Sequence, residues 1–439
     1  MCGYTFRVVR LRARDTVFGM LSFEELRSLV AHCTDPARDS FYRRLYKIAP
    51  GEPAMQLRSM NDWVALPLVT KDDLIDTPLA ERSYLPVSQL DHLRASSGTS
   101  GKLPLFSPRT HVRTMDYRFQ YHDFKNAFLG FTVPLMPHWH ARFQEAHGRL
   151  PRVVSFDPKN AAASIRLAKA AGVDALSVFV YHMPNIVEHM KREGMSDRIR
   201  FIEVTGEICS RTQYSYMKES FPNATIVQSY NSSEVEDAHI GMPCRPMDGT
   251  EPLAVYHSKS SHYLELVHPE TGATVEPTFG AEGDLLVTAY PGEPASFPLI
   301  RFRIGDTVRI VEERCSHGSW SFTVLGRTEM DFLKIPGGIL RADEVARVLK
   351  SFPERVSDQY ELHCSEEKTP TGPKLKPVLY VEAREGVDMT ELARDIAKNL
   401  RVAPSFTYSD GVEKGRYVAL TCEPFSASTH GKSRRLSTH

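Results

Sequence analysis

A short segment rich in glycine and hydroxyl side chains, SSGTSGK at residues 96–102, contains residue types that could bind an anion. Glycines let backbone N–H groups converge on an anion, hydroxyls add hydrogen-bond donors, and a lysine adds positive charge. A Walker A loop has four residues between its glycines, whereas two separate Gly98 from Gly101 here. The segment therefore fits a phosphate-binding loop of another type, or a solvated Ser/Gly turn.

Further motifs follow in a fixed order: YNSSE at 230–234, PLIRFRIGD at 298–306, GRTEMD at 326–331, and GK at 431–432. Together with the loop at 96–102, this series resembles the adenylate-forming superfamily of acyl-CoA synthetases, adenylation domains and luciferases. The resemblance covers nearly the whole chain. The short chain length and the tripeptide TGE at 205–207 resemble the phenylacetate–CoA ligase-like branch.

The resemblance implies a ligase reaction in two steps. A carboxylate attacks the α-phosphorus of ATP, giving an acyl- or aryl-adenylate and pyrophosphate, and the thiol of coenzyme A then displaces AMP. ATP and Mg²⁺ are implied, with coenzyme A as co-substrate and an aryl acid as the favoured carboxylic acid. Departures from the family pattern leave the acid and the second step open: Asn231, Ile304, Glu329-Met330 and Pro336-Gly337.

Two alternatives remain at this point. An amine, a carrier-protein thiol or another nucleophile could replace coenzyme A in a specialised biosynthetic pathway. A non-catalytic homologue acting as a scaffold is the other alternative. The retained motif residues argue against the scaffold: Lys102, Glu234, Asp306, Arg327 and Lys432.

The resemblance also implies roles for individual residues. Lys432, Glu234 and Arg327 would be catalytic, with Glu234 binding Mg²⁺, Tyr230 stacking on the adenine and Asp306 accepting from the ribose hydroxyls. We expect Glu329 to mark a hinge between the two half-reactions. The implied ATP-binding residues are Ser96, Ser97, Gly98, Thr99, Ser100, Gly101, Lys102, Gly206, Glu207, Ser229, Tyr230, Asn231, Ser232, Ser233, Asp306 and Arg327.

A set of aromatic and histidine side chains could line the pocket for the acid. An apolar slot of this kind suits an aryl acid, although a packed aromatic corner would use the same residue types. The set is Phe131, His138, Trp139, His140, Phe179 and Tyr181.

Two cysteines and two histidines form a second candidate site: Cys244, His257, Cys315 and His317. Cysteines and a histidine at comparable places occur in phenylacetate–CoA ligase-like proteins, so the resemblance suggests a metal site. Such ligands suit tetrahedral Zn²⁺, which would be structural. Buried thiols and ordinary histidines are the alternative interpretation.

The elements that must position these residues indicate an α/β fold. The first 95 residues read as mostly helical, with a capping box at Ser22–Glu25. Strands at 176–181, 201–204 and 225–228 alternate with helical segments, which predicts a parallel sheet covered on both faces. Residues 250–325 read as an antiparallel sheet or small barrel.

After Gly326 the pattern becomes mixed, with helices from 342 and 388, strands at 377–383 and 416–421, and a polar tail. We therefore expect two domains. Residues 1–327 would form a large N-terminal adenylation domain of mixed, helix-covered sheets with a small β-barrel-like part. Residues 328–439 would form a smaller mobile α+β domain carrying the catalytic lysine.

Composition restricts the partners. The formal net charge is zero, so a general attraction to nucleic acid or to an anionic membrane is not expected. No apolar run approaches the ~20 residues of a membrane helix, and the N-terminus does not resemble a signal peptide. We expect a cytoplasmic protein whose seven scattered cysteines form no disulfides. A homodimer is left open.

Overall fold

A computed structural model describes much of the chain. The described residues are 21–37, 40–86, 92–95, 106–109, 120–130, 152–206, 208–235, 239–258, 262–289, 297–327, 332–335, 338–403, 405–424 and 436–438.

The α-helices within these ranges are α1 (Phe23–Cys33), α2 (Phe41–Leu45), α3 (Met60–Val64), α4 (Lys71–Ile75), α5 (Leu79–Arg82), α6 (Ala161–Ala171), α7 (Met183–Arg192), α8 (Arg211–Ser220), α9 (Ala342–Leu349), α10 (Met389–Asn399) and α11 (Tyr408–Glu413). The strands are β1 (His92–Ala95), β2 (Phe106–Arg109), β3 (Phe128–Gly130), β4 (Val153–Ser155), β5 (Ala175–Phe179), β6 (Phe201–Thr205), β7 (Thr225–Gln228), β8 (Tyr230–Asn231), β9 (His239–Pro243), β10 (Tyr256–Ser258), β11 (His262–Val267), β12 (Thr274–Val275), β13 (Glu282–Ala289), β14 (Leu299–Glu312), β15 (Ser321–Arg327), β16 (Phe332–Ile335), β17 (Gly338–Arg341), β18 (Val356–Thr369), β19 (Gly372–Ala383), β20 (Arg401–Ala403), β21 (Phe406–Thr407), β22 (Thr421–Pro424) and β23 (Leu436–Thr438).

The N-terminal part contains the five helices α1 to α5, but they cover less than half of its described residues and strand β1 follows them, so the prediction of a mostly helical segment is confirmed only in part. Helix α1 begins with the predicted capping box. The Ser22 side chain accepts from the Glu25 N–H while the Glu25 carboxylate accepts from the Ser22 N–H at 2.7 Å. These helices pack on the large sheet. The Arg301 guanidinium is buried and donates to the backbone carbonyl of Leu66 at 2.7 Å and to Glu265 at 3.1 Å. This buried pair fixes the start of β14 against the segment that leads into α4.

A parallel sheet of five strands, in the order β4-β3-β5-β6-β7, confirms the strand–helix alternation seen in the sequence. Helices α6, α7 and α8 alternate with its strands, and their apolar faces share a buried core with the sheet. The strand predicted at 176–181 ends earlier, at Phe179. A 3-10 turn at Val180–His182 follows, because the chain must bend into α7, which has Pro184 in its first turn.

An eight-stranded sheet, in the order β12-β11-β13-β14-β15-β10-β9-β8, forms the strand-rich region. All of its pairings are antiparallel. Within the described residues its edge strands β12 and β8 do not pair, so the region expected to be β-barrel-like is an open sheet. The 14-residue strand β14 carries the PLIRFRIGD motif through the middle of this sheet.

The C-terminal part has its own buried core, formed by residues between Ile335 and Leu420. Strands β18 and β19 form a long antiparallel hairpin, with β22 and β23 added in parallel at its edges. Two sequence predictions are wrong here. Residues 436–438 form a strand instead of a polar tail, and the strand predicted at 416–421 begins at Thr421. Tyr417 and Leu420 are buried as irregular backbone, which shows that apolar runs can reflect burial as well as strand structure.

The C-terminal hairpin contacts the helices of the parallel sheet. Lys368 pairs with Glu219 at 3.0 Å, and Glu366 accepts a short hydrogen bond from the Ser210 hydroxyl at the start of α8. A side chain added at Gly372 would approach the Tyr216 ring to 3.1 Å. The hairpin therefore packs closely on α7 and α8.

Among the described helices we find none with the length and apolar character needed to cross a membrane.

Candidate functional site

The candidate nucleotide site lies where strands of the parallel sheet end and the large sheet begins. In such folds, ligands bind in the crevice beyond the carboxyl ends of parallel strands. Gly206 follows β6, and Ser229 follows β7. The Asn231 side-chain amide donates to the Thr205 hydroxyl at 2.8 Å and to the Ser229 hydroxyl at 3.1 Å. These bonds join the ends of the two neighbouring strands.

Gly206 adopts a left-handed conformation, with φ of 89°. A Cβ at this position would lie 2.5 Å from a ring carbon of Phe179. Glycine is therefore required by both the backbone conformation and the close approach of the ring. Phe179, which we assigned to the acid pocket from the sequence, thus lies directly against the segment assigned to the adenine.

Tyr230 and Asp306, which are 76 positions apart in the chain, meet in the structure. The Tyr230 hydroxyl donates to the Asp306 carboxylate at 2.5 Å, and both residues are buried. The Tyr230 ring packs beside Tyr256 and Phe322, with centroids 5.6 and 6.0 Å away. The hydrogen bond joins the start of β8 to β14 and holds the carboxylate in one orientation.

Glu234 follows Tyr230 in the same motif, and hydroxyls of that motif hold its carboxylate. The Ser232 hydroxyl donates to Oε2 at 2.5 Å and the Ser233 hydroxyl to the same atom at 3.1 Å. Burial would raise the pKa of this carboxyl, but the Lys71 ammonium and the Ser232 hydroxyl outweigh burial and lower the pKa to about 2. Glu234 is therefore an anion near neutral pH. Carboxylate oxygens are hard donors of the kind that Mg²⁺ binds, so the residue fits the metal role expected for it.

Lys71 was missed in the sequence, although it lies in this site. Its Nζ is 3.0 Å from Glu234 Oε1, and its side chain is 24% exposed. It stands at the first position of α4, after the N-cap Thr70. A lysine at this position is unfavourable, because its positive charge lies at the positive, N-terminal end of the helix dipole. This unfavourable placement is the sequence signal that could have identified Lys71.

The remaining predicted residues differ in how far the structure describes them. The backbone of Arg327 lies directly opposite Asp306 in the β14–β15 pairing, and the backbone of Tyr181 lies in the turn after β5. The side chains of these two residues are outside the described part. The predicted residues wholly outside it are Ser96, Ser97, Gly98, Thr99, Ser100, Gly101, Lys102, Phe131, His138, Trp139, His140, Glu207, Glu329 and Lys432.

The four residues of the second candidate site come together as predicted. The donor atoms of Cys244, His257, Cys315 and His317 all lie within 4.8 Å of one another. Cys244 Sγ is 3.6 Å from His317 Nδ1, and Cys315 Sγ is 4.0 Å from the same nitrogen. Donor atoms around a tetrahedral zinc ion are about 3.3–3.8 Å apart. A small contraction would therefore be enough for all four to bind one ion.

Local structure brings these four side chains together. Cys315 and His317 lie in a tight turn in which the Gly318 N–H donates to the Cys315 carbonyl at 2.9 Å. The His257 and His317 rings stack at 4.1 Å. Burial, reinforced by His317, lowers the pKa of His257 to about 3. His257 is therefore neutral, as a metal-binding imidazole must be.

The cysteine–histidine cluster and the candidate nucleotide site use neighbouring residues of strand β10. Tyr256 packs against Tyr230, whereas His257 joins the cluster. Because successive side chains of a strand point to opposite faces, the cluster lies on the other face of the sheet. This arrangement suits a structural role for the cluster.

Comparisons with known proteins agree on one family. No protein-family model matches the chain. The curated phenylacetate–coenzyme A ligase of Aromatoleum evansii is 24% identical over 444 residues, covering 95% of this chain and 93% of that protein. The ligase of the same name from Thermus thermophilus is 26% identical, covering 81% of this chain and 80% of that protein. The Escherichia coli ligase of that name is 23% identical, covering 74% of each.

Solved structures show the same fold. The crystal structure of 2-hydroxyisobutyryl-CoA ligase with 2-HIB-AMP and CoA, in its thioesterification state, has a TM-score of 0.58 at 16% identity. It covers 98% of this chain and 94% of that one. The postadenylation structure of that ligase with 2-HIB-AMP has a TM-score of 0.53 at 16% identity, covering 94% of this chain and 88% of that one. With the ordered motifs, the shared name of the curated relatives is consistent with the adenylate-forming superfamily of AMP-forming ligases, in its phenylacetate–CoA ligase-like branch.

Proposed function

We propose that the chain is an ATP-dependent carboxylic acid ligase that forms an acyl- or aryl-adenylate and passes the acyl group to coenzyme A. The observation that carries the proposal is the hydrogen bond between Tyr230 and Asp306 beyond the ends of the parallel strands, with Glu234 in the same chain segment as Tyr230. These residues come from two of the motifs that suggested adenylate formation. The names of the curated relatives support coenzyme A as the acceptor.

The chemistry of each residue supports one role in nucleotide binding. Asp306, oriented by Tyr230, would accept hydrogen bonds from the ribose hydroxyls. Glu234 would hold Mg²⁺, which neutralises phosphate charge. The loop at 96–102 would donate to the phosphates, and Gly206, Glu207 and Tyr230 would shape the adenine pocket.

The catalytic lysine is proposed on the basis of sequence. Lys432 would donate to the oxygens on which charge grows as the carboxylate attacks, and Arg327 would contact the ribose or phosphates. Residues 328–439 would form the mobile domain that carries Lys432, turning about Glu329. The separate buried core between Ile335 and Leu420 supports this division.

An aryl acid is the substrate class we propose. Phe179 supports this choice because its ring lies against Gly206, beside the proposed adenine pocket. Tyr181, Phe131, Trp139 and the histidines at 138 and 140 would complete the pocket.

We also propose that the Cys244, His257, Cys315 and His317 cluster binds a structural Zn²⁺. Two thiols and two neutral imidazoles are typical zinc ligands, and their separations support one shared ion. The test is elemental analysis of protein purified without chelator. We expect about one equivalent of zinc, and less than about a tenth of an equivalent would contradict the proposal.

ATP–pyrophosphate exchange across a panel of aryl and aliphatic acids, with and without coenzyme A, tests the main proposal. We expect exchange with aryl acids and formation of a thioester when coenzyme A is added. Asp306→Asn should reduce exchange by at least about tenfold because it removes the acceptor charge, whereas Lys169→Met, at an exposed ion pair with Glu193, should not. Exchange without thioester formation would indicate another acceptor. Absence of exchange with every acid, together with absence of ATP binding, would refute adenylation.

A further inference from the structure

The ion pair between Lys71 and Glu234 has a consequence for any cation bound at this carboxylate. A carboxylate has about four lone-pair positions, two on each oxygen. Oε2 uses both of its positions, because it accepts from the hydroxyls of Ser232 and Ser233. Oε1 accepts from the Lys71 ammonium at 3.0 Å. A divalent cation at this carboxylate would have to bind at Oε1, on the atom that already carries the ammonium.

Lys71 is held in this place by its backbone. Thr70 caps α4 and forms a reciprocal capping box with Asp73, and its N–H donates to the Asp73 carboxylate at 2.8 Å. The preceding residue, Val69, donates to the Arg301 carbonyl at 3.1 Å and accepts from the Arg303 N–H at 2.9 Å. The lysine backbone is thus anchored to β14, the strand that also carries Asp306. The ammonium can leave Glu234 only by a change of side-chain rotamer.

We propose that Lys71 is a built-in counter-ion that competes with the divalent cation for Oε1 of Glu234. This proposal rests on the metal role of Glu234 proposed above. Two positive charges about 3–4 Å apart repel each other even in water, and this site is largely shielded from solvent. Lys71 therefore keeps the carboxylate neutralised before nucleotide arrives, and it raises the cation concentration needed to fill the site.

The experiment compares the full chain with Lys71→Met. Binding of Mn²⁺ to a mixture of protein and a non-hydrolysable ATP analogue is measured by electron paramagnetic resonance, and exchange activity is measured against free Mg²⁺. We expect Lys71→Met to lower the half-saturating Mn²⁺ and Mg²⁺ concentrations by at least about fivefold, because the competing charge is gone. Unchanged or higher concentrations would overturn the proposal.

Matched variants separate competition from a structural effect. Lys71→Arg keeps the charge and should leave the half-saturating Mn²⁺ concentration unchanged. Lys71→Gln keeps a donor for Oε1 without a charge; it should bind Mn²⁺ more tightly and serves if the methionine variant does not fold. Lys169→Met removes the lysine of an exposed pair that also has a 3.0 Å separation, and it should change neither concentration.

Glu234→Gln distinguishes the proposed metal role of Glu234 from the proposed competition by Lys71. If it leaves Mn²⁺ binding unchanged, the metal role of Glu234 fails and the competition fails with it. If it weakens Mn²⁺ binding while Lys71→Met and Lys71→Gln do not strengthen it, only the competition is wrong.

Discussion

The hydrogen bond between Tyr230 and Asp306 offers a sharp test of how the nucleotide site is built. Tyr230→Phe removes one oxygen and keeps the ring that packs against Tyr256 and Phe322. The lost bond is short, buried and made to a carboxylate. Buried bonds to charged groups contribute roughly 1.5–3 kcal/mol, more than bonds between neutral groups.

Two measurable effects follow from this loss. The melting temperature should fall by roughly 3–6 °C, because in a large domain about 1 kcal/mol corresponds to about 2 °C. ATP should bind about fivefold more weakly, since the Asp306 carboxylate, which we propose accepts from the ribose, loses its fixed orientation at a cost of about 1 kcal/mol. Differential scanning fluorimetry and calorimetric titration with ATP and Mg²⁺ measure the two effects.

Tyr121→Phe is the matched control. The Tyr121 hydroxyl donates to the neutral carbonyl of Pro243 at 3.2 Å. Loss of a neutral bond costs only about 0.5–1.5 kcal/mol, and ATP binding should stay as in the wild type. If Tyr230→Phe behaves like Tyr121→Phe in both measurements, then Asp306 is not oriented by Tyr230 and the reasoning fails.

Further predictions concern three other positions. The Glu234 carboxyl has a folded-state pKa of about 2, below its unfolded value of about 4.3, so its contribution to stability of about 3 kcal/mol is present above pH ~4.3 and is lost as the pH falls toward 2. Glu234→Gln should therefore flatten the dependence of melting temperature on pH in that window, and an unchanged slope would count against the ion pair. Gly206→Ala should lower both the melting temperature and the ATP affinity, because the new Cβ would lie 2.5 Å from the facing phenylalanine ring. Gly194→Ala, also at positive φ but with no atom within 4 Å of the new Cβ, should lose only the ~1–2 kcal/mol of backbone strain; equal losses would contradict the crowding argument. Cys315→Ser should abolish bound zinc and lower the melting temperature, while Cys422→Ser should retain the metal, and full zinc content in both variants would refute the proposed site.

Local sequence signals predicted the local structure well. Residues 211–220 form the expected helix and residues 225–228 the expected strand, because the helix has an N-cap serine and the strand is a short β-branched run. The same signals failed at 416–421, where Tyr417 and Leu420 are apolar because they fill a core. Strand β18 alternates apolar and polar residues only over Tyr360–Cys364, and its second half, with Glu366 and Lys368, has no such pattern to reveal it.

The cysteine–histidine set was predicted from residue types and from resemblance, and the fold brings all four residues together. Residue types alone could not establish that these four side chains meet, because the two histidines are among 17 in the chain and the two cysteines among seven. The pairing of β9 with β10 and the turn after Cys315 provide the spatial proximity.

The sequence by itself determined the family resemblance, the strand–helix order of the parallel sheet and the identity of the motif residues, since each of these depends on residues that are close together in the chain. Only the tertiary structure decided which motif residues touch. Tyr230 binds Asp306 across 76 positions, and Lys71 pairs with Glu234 across 163 positions. Contacts of this kind depend on how β14 crosses the large sheet and on how the segment before α4 pairs with it. No local pattern contains that information, because burial and strand pairing are set by the whole packed chain.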